Sequence, residues 1–211
     1  MNISMKRIKA FFLDVFRNFR SKFIFMTALV LIDVQRGLQE IAFYGTERNN
    51  PEAEENCGRL LNYFRKNQLP VFHVKHNSTN LSSPLHPSKL GNDFHSAVQP
   101  MINETIFEKA VNSAFIGTNL EASLKAQNIT DLVIAGLTIE HCISTSVRMA
   151  SNLGFNVVLV SDATAAFDKM GYDGNKYPAE VIFHAELANL QDEFASIKDT
   201  ETLLSELDKL F

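Results

Sequence analysis

"TDLVIAGLTIEHCISTSVRMASNLGFNVVLVSDA", residues 130–163, decides how the chain is read. "TDLVIAGL" (130–137) and "FNVVLVSDA" (155–163) are continuous apolar runs of strand length, rich in Val, Ile and Leu. Such runs are expected of strands buried on both faces, because alternation disappears when both sides meet a core. Between them apolar residues recur at helical spacing from about His141 to Leu153, and Gly154 closes that helix. Strand, helix and strand with no tight turn between them make a parallel crossover unit.

The same alternation extends outward in both directions. "TALVLID" (27–33) is a third buried-strand run. A helix is predicted over about 51–67: Pro51 opens it, Glu52, Glu54 and Glu55 load its first turn, and Leu60, Leu61 and Phe64 form its inner stripe. "LPVFHVKH" (69–76) and "TIFEK" (105–109) read as strands, and 118–129 as a helix with Leu120 and Leu124 facing inward. Residues 178–194 form a helix starting at Pro178, "ASIKD" (195–199) a final strand, and 200–211 a short amphipathic helix. Residues 77–104, rich in Asn, Ser, Pro and His, are a long irregular excursion, which in a compact domain is usually functional. The predicted fold is a three-layer α/β/α sandwich with a mainly parallel sheet.

A chain of 211 residues suits one well-filled core, so 27–211 is read as a single domain. A net charge of -4 argues against a nucleic-acid partner, which needs a basic face. Two cysteines make no disulfide framework, and a reduced, cytoplasmic compartment is expected. Residues 1–26 read as a basic amphipathic extension. Within 1–25, Lys6, Arg7, Lys9, Arg17, Arg20 and Lys22 stand against Asp14, a net +5 that leaves -9 on the rest. Its apolar residues at helical spacing (Ile8, Phe12, Val15, Phe19, Phe23) suit weak contact with an anionic membrane surface, packing on the domain, or an extension upstream of a start at Met26. It is too charged for a transmembrane span, and Asp14 with no small-residue cleavage site argues against a signal peptide.

In parallel α/β sheets, ligands bind beyond the carboxyl ends of the strands where strand order reverses. Asp33 ends the first strand, Lys109 ends "TIFEK", and Cys142 lies just past "DLVIAGL", so three reactive side chains share one sheet edge. A helix start and a neighbouring cation both favour a thiolate, which predicts a lowered pKa for Cys142. Asp33 is then placed to shuttle a proton, and backbone N–H groups of "LTIEHC" to hold an oxyanion. Each residue also has an ordinary reading: a turn-capping Asp, a solvated Lys, an inert packed Cys. Spacing alone leaves both readings open. A nucleotide or flavin protein would need a Gly-rich turn that "AGLTIEHC" lacks.

"ALVLIDVQRGL" (28–38), "FEKAVNSAF" (107–115) and "VIAGLTIEHCISTSVRMA" (133–150) resemble the three signature segments of the isochorismatase-like cysteine hydrolase superfamily. The similarity spans 27–197 and is strongest from "SPLHPSKLG" (83–91) through "VSDATAAFD" (160–168). The resemblance implies an Asp33–Lys109–Cys142 triad and a cis peptide between Leu137 and Thr138 that turns the Thr138 N–H toward a substrate oxygen. Isochorismatases proper lack the cysteine, so Cys142 points to C–N hydrolysis of a small amide, carbamoyl or ureido compound through a thioester. A non-catalytic isochorismatase-like binding module is the alternative. Nicotinamidases of this superfamily hold a metal with an Asp-x-His that "HVKH" (73–76) does not repeat. His73 and His76, three apart in a strand, face opposite sides and chelate poorly, so no metal or other cofactor is expected. His76 is instead a candidate substrate hydrogen-bonder, and Phe115 and Phe43 are candidate pocket walls or core residues. His141 adjoins the nucleophile, but adjacent side chains diverge, which disfavours a Cys–His dyad. A homo-oligomer is expected from the resemblance alone.

Overall fold

The computed structural model describes residues 26–209. The expected basic helix within 1–25 lies outside them. Six parallel strands form the central sheet: β1 (Thr27–Ile32), β2 (Val71–His76), β3 (Thr105–Lys109), β4 (Asp131–Gly136), β5 (Asn156–Val160) and β8 (Ser196–Lys198). Their order is β3-β2-β1-β4-β5-β8. The chain therefore builds outward from β1 to one edge, then returns to lay β4 on the other side of β1. That reversal puts the switch point between the ends of β1 and β4.

Every residue of β1 is buried, and alternate residues serve opposite cores. Ala28, Val30 and Ile32 join Leu120, Leu124, Ile143, Val147 and Phe183 on one side. Leu29 and Leu31 join Leu60, Leu61, Phe64, Leu203 and Leu207 on the other. The first side is covered by α2 (Leu120–Ala126), α3 (Ser144–Asn152) and α4 (Ala179–Leu190), the second by α1 (Ala53–Lys66) and α5 (Thr200–Asp208). Two-sided burial is why the strand sequences run apolar without alternation. Among the described residues, no helix is long and apolar enough to cross a membrane.

Three local features depart from the sequence reading. The helix expected from His141 begins earlier, as a π-helical turn over Ile139–Ile143 that passes into α3. A two-stranded antiparallel hairpin, β6 (Lys169–Met170) with β7 (Lys176–Tyr177), was not expected. Its signal is Asp173-Gly174, with Gly174 at φ 79° in the turn. The excursion 77–104 carries two short 3-10 turns, Leu90–Asn92 and Ser96–Val98.

Two constraints hold opposite ends of the sheet, Gly136 at the carboxyl end that carries the site and Glu104 at the amino end of β3. Gly136 ends β4 in register with Ile32, at φ 130°. A Cβ there would lie 1.9 Å from the Ile32 carbonyl oxygen, so only glycine fits. Farther along the sheet, Glu104 precedes β3 and joins three elements. Its carboxylate accepts two hydrogen bonds from Arg65 of α1, both 2.7 Å, one from the Met101 amide at 2.9 Å, and pairs with Nε2 of buried His73 at 2.8 Å. Burial alone would raise the Glu104 pKa, but these donors outweigh it and hold the carboxyl down from 4.5 to about 2. Burial lowers the pKa of His73, which in its neutral form donates from Nε2.

Two outcomes follow. Gly136→Ala should lower the unfolding free energy by about 2–4 kcal/mol in urea denaturation, since backbone must move to clear the overlap. Glu104→Gln should cost about 1–3 kcal/mol at pH 7. A carboxyl with a depressed folded pKa stabilises above its unfolded value and loses that contribution as pH falls through the folded one. The gap between Glu104→Gln and the parent should therefore close between pH 4.5 and about 2.

Candidate functional site

The carboxyl ends of β1, β2, β3 and β4 converge on one buried cation. Asp33 directly follows β1 in a left-handed conformation, φ 54°, which turns its side chain under the sheet edge. Lys109 ends β3 in register with His76 at the end of β2. Asp33 and Lys109 are 1% and 3% exposed, and Cys142 9%. The Lys109 ammonium has three protons and meets three acceptors: Asp33 Oδ2 at 2.6 Å, Cys142 Sγ at 3.2 Å and His76 Nδ1 at 3.2 Å. Asp33 Oδ1 is buried and has no hydrogen-bond partner among the described residues. The geometry thus brings Asp33, Lys109, Cys142 and His76 together, as their positions at strand ends suggested.

The electrostatics differ from expectation at the thiol. Burial pushes the Cys142 pKa well up, the Asp33 charge pushes it further, and Lys109 only partly opposes them. A helix start with one cation does not prevail here, because burial first and the Asp33 charge second outweigh it. These surroundings favour the protonated thiol. Burial, then Lys109, also lowers the His76 pKa, so its neutral ring accepts at Nδ1. Cys57 is a different thiol: fully buried in the other core, it donates to the Ala163 carbonyl at 3.3 Å.

Asp33, His76 and Cys142 together offer donor atoms within 4.8 Å of one another, a spacing that a metal ion could use. The Lys109 ammonium already bridges all three, so an ion at that centre would have to displace it. The donor set fits an ammonium better than a divalent ion. His73 takes no part, being turned away to Glu104.

A cavity of about 290 Å³ opens onto Cys142, with Tyr44, Leu85, Thr138, Glu140, Phe167 and Lys169 among its lining. The peptide between Leu137 and Thr138 is cis. The π-helical turn, marked by the Ile143 N–H bonded five residues back to the Thr138 carbonyl at 3.1 Å, presents Thr138 and Cys142 to the same space. His141 also lines the cavity, but the sulfur is bonded to Lys109 rather than to its imidazole.

Two expected wall residues are elsewhere. Phe115 lies in the core, stacked on Phe155 with ring centroids 6.2 Å apart. Phe43 is exposed and meets Tyr44 edge-on. Neighbouring side chains on that helical turn diverge, and Tyr44 turns inward to stack on Phe167, centroids 4.9 Å apart. Asp168 holds this wall: it accepts from the Thr46 and Glu47 amides at 2.6 and 2.8 Å, which keeps its pKa low despite burial.

Sequence reasoning also missed Gln35 and Asn92. Gln35 is fully buried, accepts from the His76 amide at 2.8 Å, and donates to the His76 and Asn92 carbonyls at 3.0 and 2.8 Å. Asn92 donates to the His76 and Leu85 carbonyls at 3.0 and 2.7 Å, tying the excursion to β2. Gln35 lies two residues after Asp33 inside the first signature segment, which was its available signal.

Comparison with known proteins identifies the family. The family model described as the isochorismatase domain matches residues 27–177. The isochorismatase family protein YrdC of Bacillus subtilis is 43% identical over 182 residues, covering 86% of this chain and 96% of its own. A crystal structure of an isochorismatase-family protein from Chromobacterium violaceum superposes with TM-score 0.84 at 37% identity, covering 88% of this chain and 95% of that one. Nicotinamidase 3 of Arabidopsis thaliana is 25% identical over 194 residues, covering 84% of this chain and 87% of its own. With its parallel sheet, its cavity at the switch point and a family match over most of its length, the chain belongs to the isochorismatase family.

Proposed function

We propose that this protein is a cysteine hydrolase that cleaves a C–N bond of a small amide, carbamoyl or ureido compound. The observation that carries the reading is the Lys109 ammonium shared between Asp33 and Cys142, both of which line the cavity. The similarity to a protein named as a nicotinamidase supports the amide class.

In this reading the resting thiol is not a free nucleophile, so attack and proton transfer go together. Asp33 Oδ1, which has no other partner among the described residues, takes the Cys142 proton as sulfur bonds to the carbonyl carbon. Lys109 keeps its bond to Asp33 Oδ2 and stabilises the charge that develops on sulfur. The carbonyl oxygen becomes an oxyanion facing the backbone N–H groups of Thr138 and Cys142; one such donor is commonly worth about 3 kcal/mol. Asp33 then returns the proton to the departing nitrogen, and ammonia or an amine leaves a Cys142 thioester. Water deprotonated by Asp33 attacks the thioester, the acid departs, and the thiol is restored. His76 is neutral with Nδ1 held by the ammonium, so any hydrogen bond it makes to substrate is donated from Nε2.

Asp33 has opposite effects on the thiol and on the reaction, which gives a direct test. Asp33→Asn removes an anion that raises the Cys142 pKa, so iodoacetamide should alkylate Cys142 faster at pH 7, read by peptide mass spectrometry. The same substitution should lower ammonia release from a panel of small primary amides and N-carbamoyl compounds by at least about 100-fold. Lys109→Ala should slow both. If no panel member yields ammonia with the parent protein, or Asp33→Asn keeps full turnover, the hydrolase reading fails and a non-catalytic binding module takes its place.

A further inference from the structure

Glu140, two residues before Cys142 in the π-helical turn, is not used in the chemistry above. Its side chain is 7% exposed, and it lines the same cavity as the thiol. One oxygen is committed: Oε1 accepts from the Phe167 amide at 3.3 Å and lies 3.4 Å from Lys169 Nζ. The other, Oε2, is buried and has no hydrogen-bond partner among the described residues. A buried carboxylate oxygen strongly favours a donor, and the cavity that Glu140 lines is the space from which a bound molecule could supply one.

The neighbours narrow what that donor is. Lys169 offsets the Glu140 charge, so the pair is neutral overall while still presenting one bare acceptor. Tyr44 and Phe167 give that end of the cavity an aromatic wall. An oxygen-only ligand, such as a simple carboxylate, would bring further acceptors to an acceptor and is disfavoured. A group with N–H to donate is matched.

We propose that Glu140 Oε2 is a specificity-determining acceptor, and that the substrate is a small amide-type molecule carrying a second N–H donor, an amino, amidino or further amide group, away from the scissile bond. The proposal rests on the reading of Cys142 as the group that meets substrate in this cavity. Oε2 takes the donor, the aromatic wall covers the linking atoms, and the reactive carbonyl is left at the sulfur. A cavity of about 290 Å³ limits such a molecule to metabolite size.

The test uses the thiol as reporter and needs no turnover. Two thiol reagents of equal charge are compared: 2-aminoethyl methanethiosulfonate, which has N–H donors, and 2-(trimethylammonio)ethyl methanethiosulfonate, which has none. Rates of Cys142 modification are normalised to free cysteine and measured in the parent, Glu140→Gln and Lys169→Met. The parent should favour the aminoethyl reagent at least about tenfold, the ratio that a hydrogen bond to a charged group provides. Glu140→Gln should collapse the ratio to below about threefold with an unchanged denaturation midpoint, while Lys169→Met, which frees the carboxylate further, should preserve or increase it. An equal ratio in parent and Glu140→Gln, or an equal collapse in both variants, overturns the proposal without touching the hydrolase reading. Selective labelling in a protein that releases no ammonia keeps the subsite and removes the reaction instead.

Discussion

The buried ammonium of Lys109 is the interaction on which the site depends. Removing a lysine charge from water costs several kcal/mol, and the protein recovers that cost only by saturating all three ammonium protons. Each acceptor comes from a different element: Asp33 after β1, His76 at the end of β2, Cys142 in the turn after β4. No two neighbouring strands could supply the set. The lysine itself ends β3, at the far edge of this half of the sheet, and its side chain reaches back over β2.

Much of the surrounding structure reads as support for those four strand ends. Gly136 lets β4 press against the Ile32 carbonyl and so brings the cysteine turn close to Asp33. Gln35 and Asn92 clamp the backbone at His76 and anchor the excursion that contributes Ser83 and Leu85 to the cavity. Glu104 secures the approach to β3 by bonding to Arg65 and His73. Gln35 and Asn92 are polar residues buried inside a largely apolar fold, and their side chains are hydrogen-bonded, as low-dielectric surroundings demand.

The same crowding sets the character of the thiol. An isolated lysine beside a cysteine would favour thiolate, whereas here burial and Asp33 hold the proton on sulfur. In the proposed reaction the base must therefore act at the moment of attack, which suits a carboxylate with one oxygen held by Lys109 and the other bare. A resting thiol is also less exposed to adventitious oxidation than a thiolate.

The sequence by itself determined the architecture, because burial on two faces imprints long apolar runs and helices imprint a 3.6-residue period. It also placed Asp33, Lys109 and Cys142 at strand ends, since in a parallel sheet every strand ends at the same edge. The hairpin after Phe167 went unread, because its strands are only two residues each, too short for any periodicity. What the sequence could not determine is which side chains share the cavity. Phe43 and Tyr44 are adjacent and equally aromatic, yet one faces solvent and the other stacks on Phe167, 123 residues later. The pKa of Cys142 and the bare oxygen of Glu140 were equally hidden, because burial and the competition of several charges for one another exist only once distant segments have packed.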